Sequence, residues 1–314
     1  MSDAAAPSGR QFPITAGAHR AVVVEVGGGI REYGLRGDSG AQPGGSVGRP
    51  VLAGYAASAM TPHSAGAVLA PWPNRVRDGH YVFGGVEYQL PLTEPALHNA
   101  IHGLARWVRW TPVDVAVDSV ELAYDLPAQT GYPFPLRIGV RWSVGPDGLR
   151  ADHTVTNVGT AAVPFGLGTH PYLHLGGART TETRLTIPAA TWLESDERNC
   201  PIGSSPVSGT PYDLRAGAIL GELPLNTPFT DLDRDAGGIA TVVLQTPDGT
   251  RTEVWMDGAF GYVQAYCAPG FGPGEHAIAV EPMSCAPDAF NSGDGLVTLQ
   301  PGAHWTGSWG IRPS

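Results

Sequence analysis

Cysteine is scarce. There are three in 314 residues, Cys200, Cys267 and Cys285, odd in number and far apart. They make neither a disulfide framework nor a CxxC zinc or redox motif, and are expected to be small buried hydrophobes in a reduced cytoplasm. Positive charge is also short, with 19 Lys and Arg against 29 Asp and Glu. The resulting net charge of −10 argues against nucleic acid or an anionic membrane surface as the main partner. The opening MSDAAAPSGR lacks the apolar run of a secretory signal, and no later stretch is long enough to span a bilayer. Residues 1–10 are expected to form a flexible tail. Nor is there an amphipathic helix of three turns, or a fixed-period repeat of the kind that builds solenoids and propellers. Charged residues make up only 15% of the chain and hydrophobic ones 42%, so a sizeable core is available and disorder is not expected.

Glycine and proline are abundant, 43 and 29, which suits short strands joined by tight turns. Leu136 to Val144 alternates Leu, Ile, Val, Trp and Val with polar or small residues, a strand with one buried face. The turn Gly145-Pro-Asp-Gly148 leads into a second alternating run to Val158. The same turn chemistry at Thr246-Pro-Asp-Gly249 joins 240–245 to 252–255. Gly84-Gly85 is a two-residue hairpin loop between 81–83 and 86–90. Strands are also expected at 119–126, 276–281 and 304–312, and the part from Glu194 to Gly238 reads as loop-rich surface excursions. The fold class is all-β: one domain over residues 1–314, a large twisted antiparallel β-sandwich with few or no helices.

Four places combine polar residues with awkward backbone. In GTHPYLHL, residues 168–175, two histidines stand four apart, which on a helix is a metal-gripping spacing. Pro171 pushes His170 out of the helical region, and in an extended chain the two lie roughly 13 Å apart. No metal is expected there. PWPNRVRDG, residues 71–79, presents Asn74 and Arg75 beside Trp72; it is either functional or a surface turn whose arginines pair with acids. HNAIHGL, residues 98–104, contains His102, which is functional or a half-buried histidine bonded to backbone. Glu281 ends an apolar strand just before Pro282. It is a buried charge with a partner, a working base, or a carboxylate escaping to solvent.

At these points and in this order the sequence resembles the aldose 1-epimerase (galactose mutarotase) family. The carrying segments are PNR (73–75), NAIHG (99–103), GTHPY (168–172), GYVQAY (261–266), Glu281 with Pro282, and PDAFN (287–291). The resemblance implies the family's large twisted sandwich and a sugar pocket on the concave face of one sheet. It implies Glu281 as general base toward the anomeric hydroxyl and His170 as general acid toward the ring oxygen. Arg75 and His102 would bind and polarise the sugar, with Asn74 and Gln264 as further polar contacts, and no cofactor or metal is implied. Where the family carries an Asp three positions before a Phe, this chain has Asn226. Asn226 is expected to take over that contact, with Asp231 or Asp233 as alternatives after a loop shift.

The function that follows is cofactor-free interconversion of α and β anomers of an aldohexose such as glucose or galactose, in the cytoplasm. Two alternatives stand beside it: a non-catalytic carbohydrate-binding sandwich, and an epimerase of a phosphorylated or otherwise modified sugar, for which Arg77 or Arg106 would supply a cation. A small-molecule sugar is the expected partner. Oligomeric state has no signal in the sequence. Trp72 is expected to offer an apolar face to the sugar, His174 to pack near the pocket, and Asp288 with Asn291 to form a structural Asx turn.

Overall fold

Alternation decides the architecture of the computed structural model, which describes residues 6–37, 48–269, 271 and 275–314. In the strand Leu136–Gly145 every second residue from Leu136 to Val144 is buried, while those between are half-buried or exposed. It pairs antiparallel with Gly148–Asn157, Gly145 facing Gly148 across the expected turn. The hairpin of Ala240–Gln245 with Arg251–Met256 forms the same way. Gly84 and Gly85, with φ of 60° and 79°, close His80–Phe83 onto Val86–Gln89; two successive left-handed residues cost little only in glycine.

Among the described residues these strands assemble into two large antiparallel sheets, a four-stranded one and three of two strands. The first runs, in spatial order, through Thr111–Val115, Ser119–Leu126, Leu136–Gly145, Gly148–Asn157, His304–Pro313, Arg251–Met256, Ala240–Gln245, Arg184–Thr186 and Ala218–Ile219. The second runs through Pro201–Pro206, Ala189–Ser195, Asn226–Leu232, Tyr262–Pro269, His276–Met283, Gly168–Thr169 and Val68–Leu69, with Tyr172–His174 also on His276–Met283. Ile138, Val140 and Trp142 of the first sheet and Val263, Ala265 and Val280 of the second share one hydrophobic core. Trp142 and Trp309 meet there edge-on at 5.8 Å, both fully buried. Among the described residues, helix is confined to the four residues Ala289–Ser292 and short 3-10 turns.

The sequence reading of 194–238 needs correction. That stretch contains the strands Pro201–Pro206 and Asn226–Leu232, and the second lies inside the sheet between Ala189–Ser195 and Tyr262–Pro269. Its prolines and short alternation hid it, since a strand flanked by two others is held by ladder hydrogen bonds that carry no sequence pattern. Near the start of the chain, Ser8 is buried and the Arg10 backbone N–H donates to Glu25. Residues 1–5 lie outside the described residues. All three cysteines are free; Cys200 and Cys285 are buried and Cys267 half-buried.

Candidate active site

One strand pair sets the floor of the site. Across Tyr262–Pro269 and His276–Met283, Gln264 faces Glu281 and Tyr266 faces Ala279. Val263, Ala265, Ile278 and Val280 belong to the core, so the period of two sends Gln264, Tyr266 and Glu281 to the opposite face. Asn226 is paired with Tyr266 on the next strand, which puts it diagonal to Gln264 on that same face. His170 follows Gly168–Thr169, whose Gly168 pairs with Met283, two residues past Glu281.

The rim comes from the small hairpin of Arg75–Arg77 with Asn99–Ile101. Asn74 and His102, just outside it, both have left-handed backbone, with φ of 53° and 62°. They brace each other: the His102 N–H donates to the Asn74 carbonyl at 2.8 Å, and the Asn74 N–H donates to His102 Nδ1 at 3.2 Å. That second bond makes Nδ1 an acceptor, so neutral His102 carries its proton on Nε2. Gly103 is required next, because its φ is +66° and a Cβ there would run into the Ala70 carbonyl oxygen.

These side chains line one cavity of about 420 Å³, a volume that suits a small ligand. His170 Nε2 stands 3.5 Å from Glu281 Oε1, and both side chains are almost fully buried, 7% and 3% exposed. Burial pushes Glu281 up to about 8, with Arg75 opposing, and drives His170 down to about 3. The pair therefore holds one proton at neutral pH, on the carboxyl. Glu281 Oε2 and His170 Nδ1 are buried without a partner in another residue. The His170 ring stacks on Tyr172 at 4.7 Å and meets His102 edge-on at 5.3 Å. His102 is held well below the usual histidine range by burial and then by His170, Arg106 and Arg75.

A chain of amides runs beside the pair. Asn74 Nδ2 donates to Gln264 Oε1 at 3.4 Å, Gln264 Nε2 donates to Asn226 Oδ1 at 2.8 Å, and Asn226 Nδ2 donates to Asn199 Oδ1 at 3.3 Å. Asn226 thus spends its carbonyl on Gln264 and keeps one N–H free for the cavity. Asp231 is exposed, bonds Thr191 and lines a different hollow, while Asp233 is exposed and outside the cavity.

All seven residues singled out in the sequence, Asn74, Arg75, His102, His170, Asn226, Gln264 and Glu281, line this cavity. Four readings change. Trp72 is 2% exposed and packs in the core against Phe290 and Tyr132, not against the cavity; Tyr172 and Tyr266 are the lining aromatics. His174 lines a separate hollow with Arg49 and Asp248, its Nδ1 accepting from the Gly176 N–H. Arg77 is ion-paired with Asp196 at 2.7 Å and lies outside the cavity, whereas Arg106 lines it. Arg75 lines the cavity and is also paired, gripping Glu94. Asp288 does anchor its turn, accepting from the Arg77 N–H and from Asn291. Sequence reasoning missed Glu94, in an isolated bridge to Asn99, Ser64, ending the 3-10 turn Pro62–Ser64, and Asn199, in a bend; none carries a pattern to mark it. Among the described residues no three His, Cys, Asp or Glu side chains are grouped to hold a metal ion.

Comparison with known proteins gives the family and the fold. The aldose 1-epimerase family model matches residues 10–312. The uncharacterized protein YihR of Escherichia coli (strain K12) is 31% identical over 296 residues, 94% of this chain and 90% of that protein. The galactose mutarotase of Mus musculus is 33% identical over 163 residues, 50% of this chain and 46% of the mouse protein. A GalM/aldose epimerase homologue from C. elegans has a TM-score of 0.83 at 20% identity, with 97% of this chain and 98% of that chain covered. A galactose mutarotase-like protein from Clostridium acetobutylicum has a TM-score of 0.80 at 20% identity, covering 96% and 94%. At such identities the likeness of the two structures speaks for the fold alone.

Proposed function

The chain belongs to the aldose 1-epimerase family, and from that premise we propose that it interconverts the α and β anomers of an aldohexose without a cofactor. The observation that carries this reading is the approach of His170 Nε2 to Glu281 Oε1 at 3.5 Å inside the cavity. The anomeric hydroxyl and the ring oxygen sit on one carbon, so a base and an acid a few ångströms apart reach both at once. With the pair's proton moved from Glu281 to His170, the carboxylate takes the proton of the anomeric hydroxyl. The C1–O5 bond breaks, its electrons go to the ring oxygen, and His170 delivers a proton there. Rotation about C1–C2 turns the aldehyde, and reclosure runs the same transfers backwards.

His102 Nε2–H and the Arg75 guanidinium are donors suited to the charge that develops on oxygen as the ring opens. Gln264, Asn74 and Asn226 offer amides to sugar hydroxyls. The name of the mouse relative supports a hexose of the galactose kind. We further read residues 1–314 as a single catalytic domain working in the cytoplasm, a setting that suits three free cysteines. A module that only bound sugar would gain nothing from a buried, unsatisfied carboxyl, which costs about 1–3 kcal/mol.

Polarimetry of freshly dissolved α-D-glucose and α-D-galactose tests the proposal. Wild type accelerates the approach to equilibrium, and Glu281→Gln or His170→Asn loses at least a hundredfold. Full rate in Glu281→Gln would remove Glu281 as the base.

A further inference from the structure

Among the described residues that line the cavity, Arg106 is a cation that no carboxylate bonds, though Glu94 acts on it at longer range. Among the described residues it takes part in no ion pair within 4 Å, and its one side-chain hydrogen bond runs from Nη1 to the Ser64 hydroxyl at 2.8 Å. Its Nε is buried with no partner. Its guanidinium carbon also lies 5.4 Å from the Trp107 ring centroid. Burial lowers Arg106 to about 10, with Glu94 opposing, so the guanidinium remains charged at neutral pH in a place that disfavours the charge. Glu94 is already committed to Arg75 through two bonds of 2.8 Å.

The charges of the cavity then sum to a positive value. Arg75 and Glu94 cancel, Glu281 and His170 rest neutral, and Asn226 brings no charge where the family pattern carries an acid. Arg106 is left over. Its position is on the His170 side: Ser64, which holds Arg106, lies two residues before Gly66, whose N–H donates to the His170 carbonyl at 2.8 Å, and the His63 carbonyl accepts from Tyr172, the ring stacked on His170. Ser64 and His63 line the cavity with it, and His63 acts on His170.

We propose that Arg106 and Ser64 form a subsite for a negatively charged substituent on the sugar, so that the preferred substrate is an aldose carrying a carboxylate or a phosphate at C6. The inference rests on the roles proposed for Glu281 and His170. If His170 serves the ring oxygen, connectivity fixes what lies next to it. The ring oxygen is bonded to C1, which faces Glu281, and to C5, whose exocyclic C6 group then falls on the Arg106 side. A guanidinium whose Nη1 is held by Ser64 and whose Nη2 donates to no other described residue offers a charged donor that carboxylate and phosphate both accept.

Anomer exchange measured by NMR at equilibrium tests this on D-glucose, D-glucuronate and D-glucose 6-phosphate. Wild type is expected to show a higher kcat/KM for at least one anionic sugar than for glucose, and which one tells carboxylate from phosphate. In Arg106→Gln the ratio of anionic to neutral kcat/KM falls at least tenfold, mainly through KM, while Arg106→Lys keeps part of it. An unchanged ratio in Arg106→Gln, or glucose preferred by wild type over both anionic sugars, overturns the subsite but leaves the epimerase intact. Should Arg106→Gln fail to fold, the wild-type preference and the Arg106→Lys ratio still decide. No exchange of any of the three sugars, with Glu281→Gln indistinguishable from wild type, would instead bring down the epimerase reading and this inference with it.

Discussion

Arg75 and Glu94 grip each other in parallel on the wall of the cavity, Nε to Oε2 and Nη2 to Oε1, each at 2.8 Å. Asn99 adds a third bond to Glu94 from the adjacent strand. Burial pushes the Glu94 carboxyl up, but the hydrogen bonds from Arg75 and Asn99 outweigh it and leave Glu94 below the usual range. The pair fixes the guanidinium whose charge acts on Glu281.

Glu94→Gln should therefore act at a distance on the base. Arg75 loses its counter-charge, its field at Glu281 grows, and the alkaline limb of the pH–rate profile moves below about 8. Stability should fall by about 1–3 kcal/mol, less than for a fully buried pair because both side chains are partly exposed. Polarimetry across pH with thermal unfolding checks both. A limb that stays in place shows that Arg75 does not tune the base.

The proton count of the His170–Glu281 pair predicts a pH profile. Between about 3 and about 8 the pair holds one proton, which is the working number. Above about 8 it holds none, and no acid is left for the ring oxygen. After subtraction of the spontaneous reaction, kcat/KM should be flat from about pH 5 to about pH 7, then drop roughly tenfold per pH unit above about 8. A rate that keeps climbing beyond that point contradicts the one-proton pair.

Stability should move the opposite way to activity when Glu281 is replaced. Its folded value of about 8 lies above the unfolded value of 4.5, so between these pH values the folded state binds the extra proton. Stability from this group is complete below 4.5 and is lost as pH rises to about 8. Glu281→Gln lacks that loss. Its gain over wild type should grow across the same window, reaching on the order of 3 kcal/mol near neutrality. Denaturant unfolding at several pH values measures it, and a constant difference would show that Glu281 is not strained by burial.

The sequence by itself determined the strands and their faces, because alternation and turn chemistry are local. Leu136 to Val144, the two PDG turns and Gly84-Gly85 needed no partner to be read. Asn74, Arg75, His102, His170 and Glu281 were legible as candidates as well, standing beside prolines and glycines where the backbone is constrained, whereas Gln264 and Asn226 were marked only by the resemblance to the aldose 1-epimerase family. What surrounds them was decided only by tertiary structure. Glu94 meets Arg75 across 19 positions and Ser64 meets Arg106 across 42, distances over which no periodicity carries information. Trp72 turned to the core because Phe290, more than two hundred positions later, arrives beside it. The elevated Glu281 and depressed His170 belong to the fold for the same reason. Exclusion of water is a property of the whole assembled enclosure, and no stretch of chain possesses it alone.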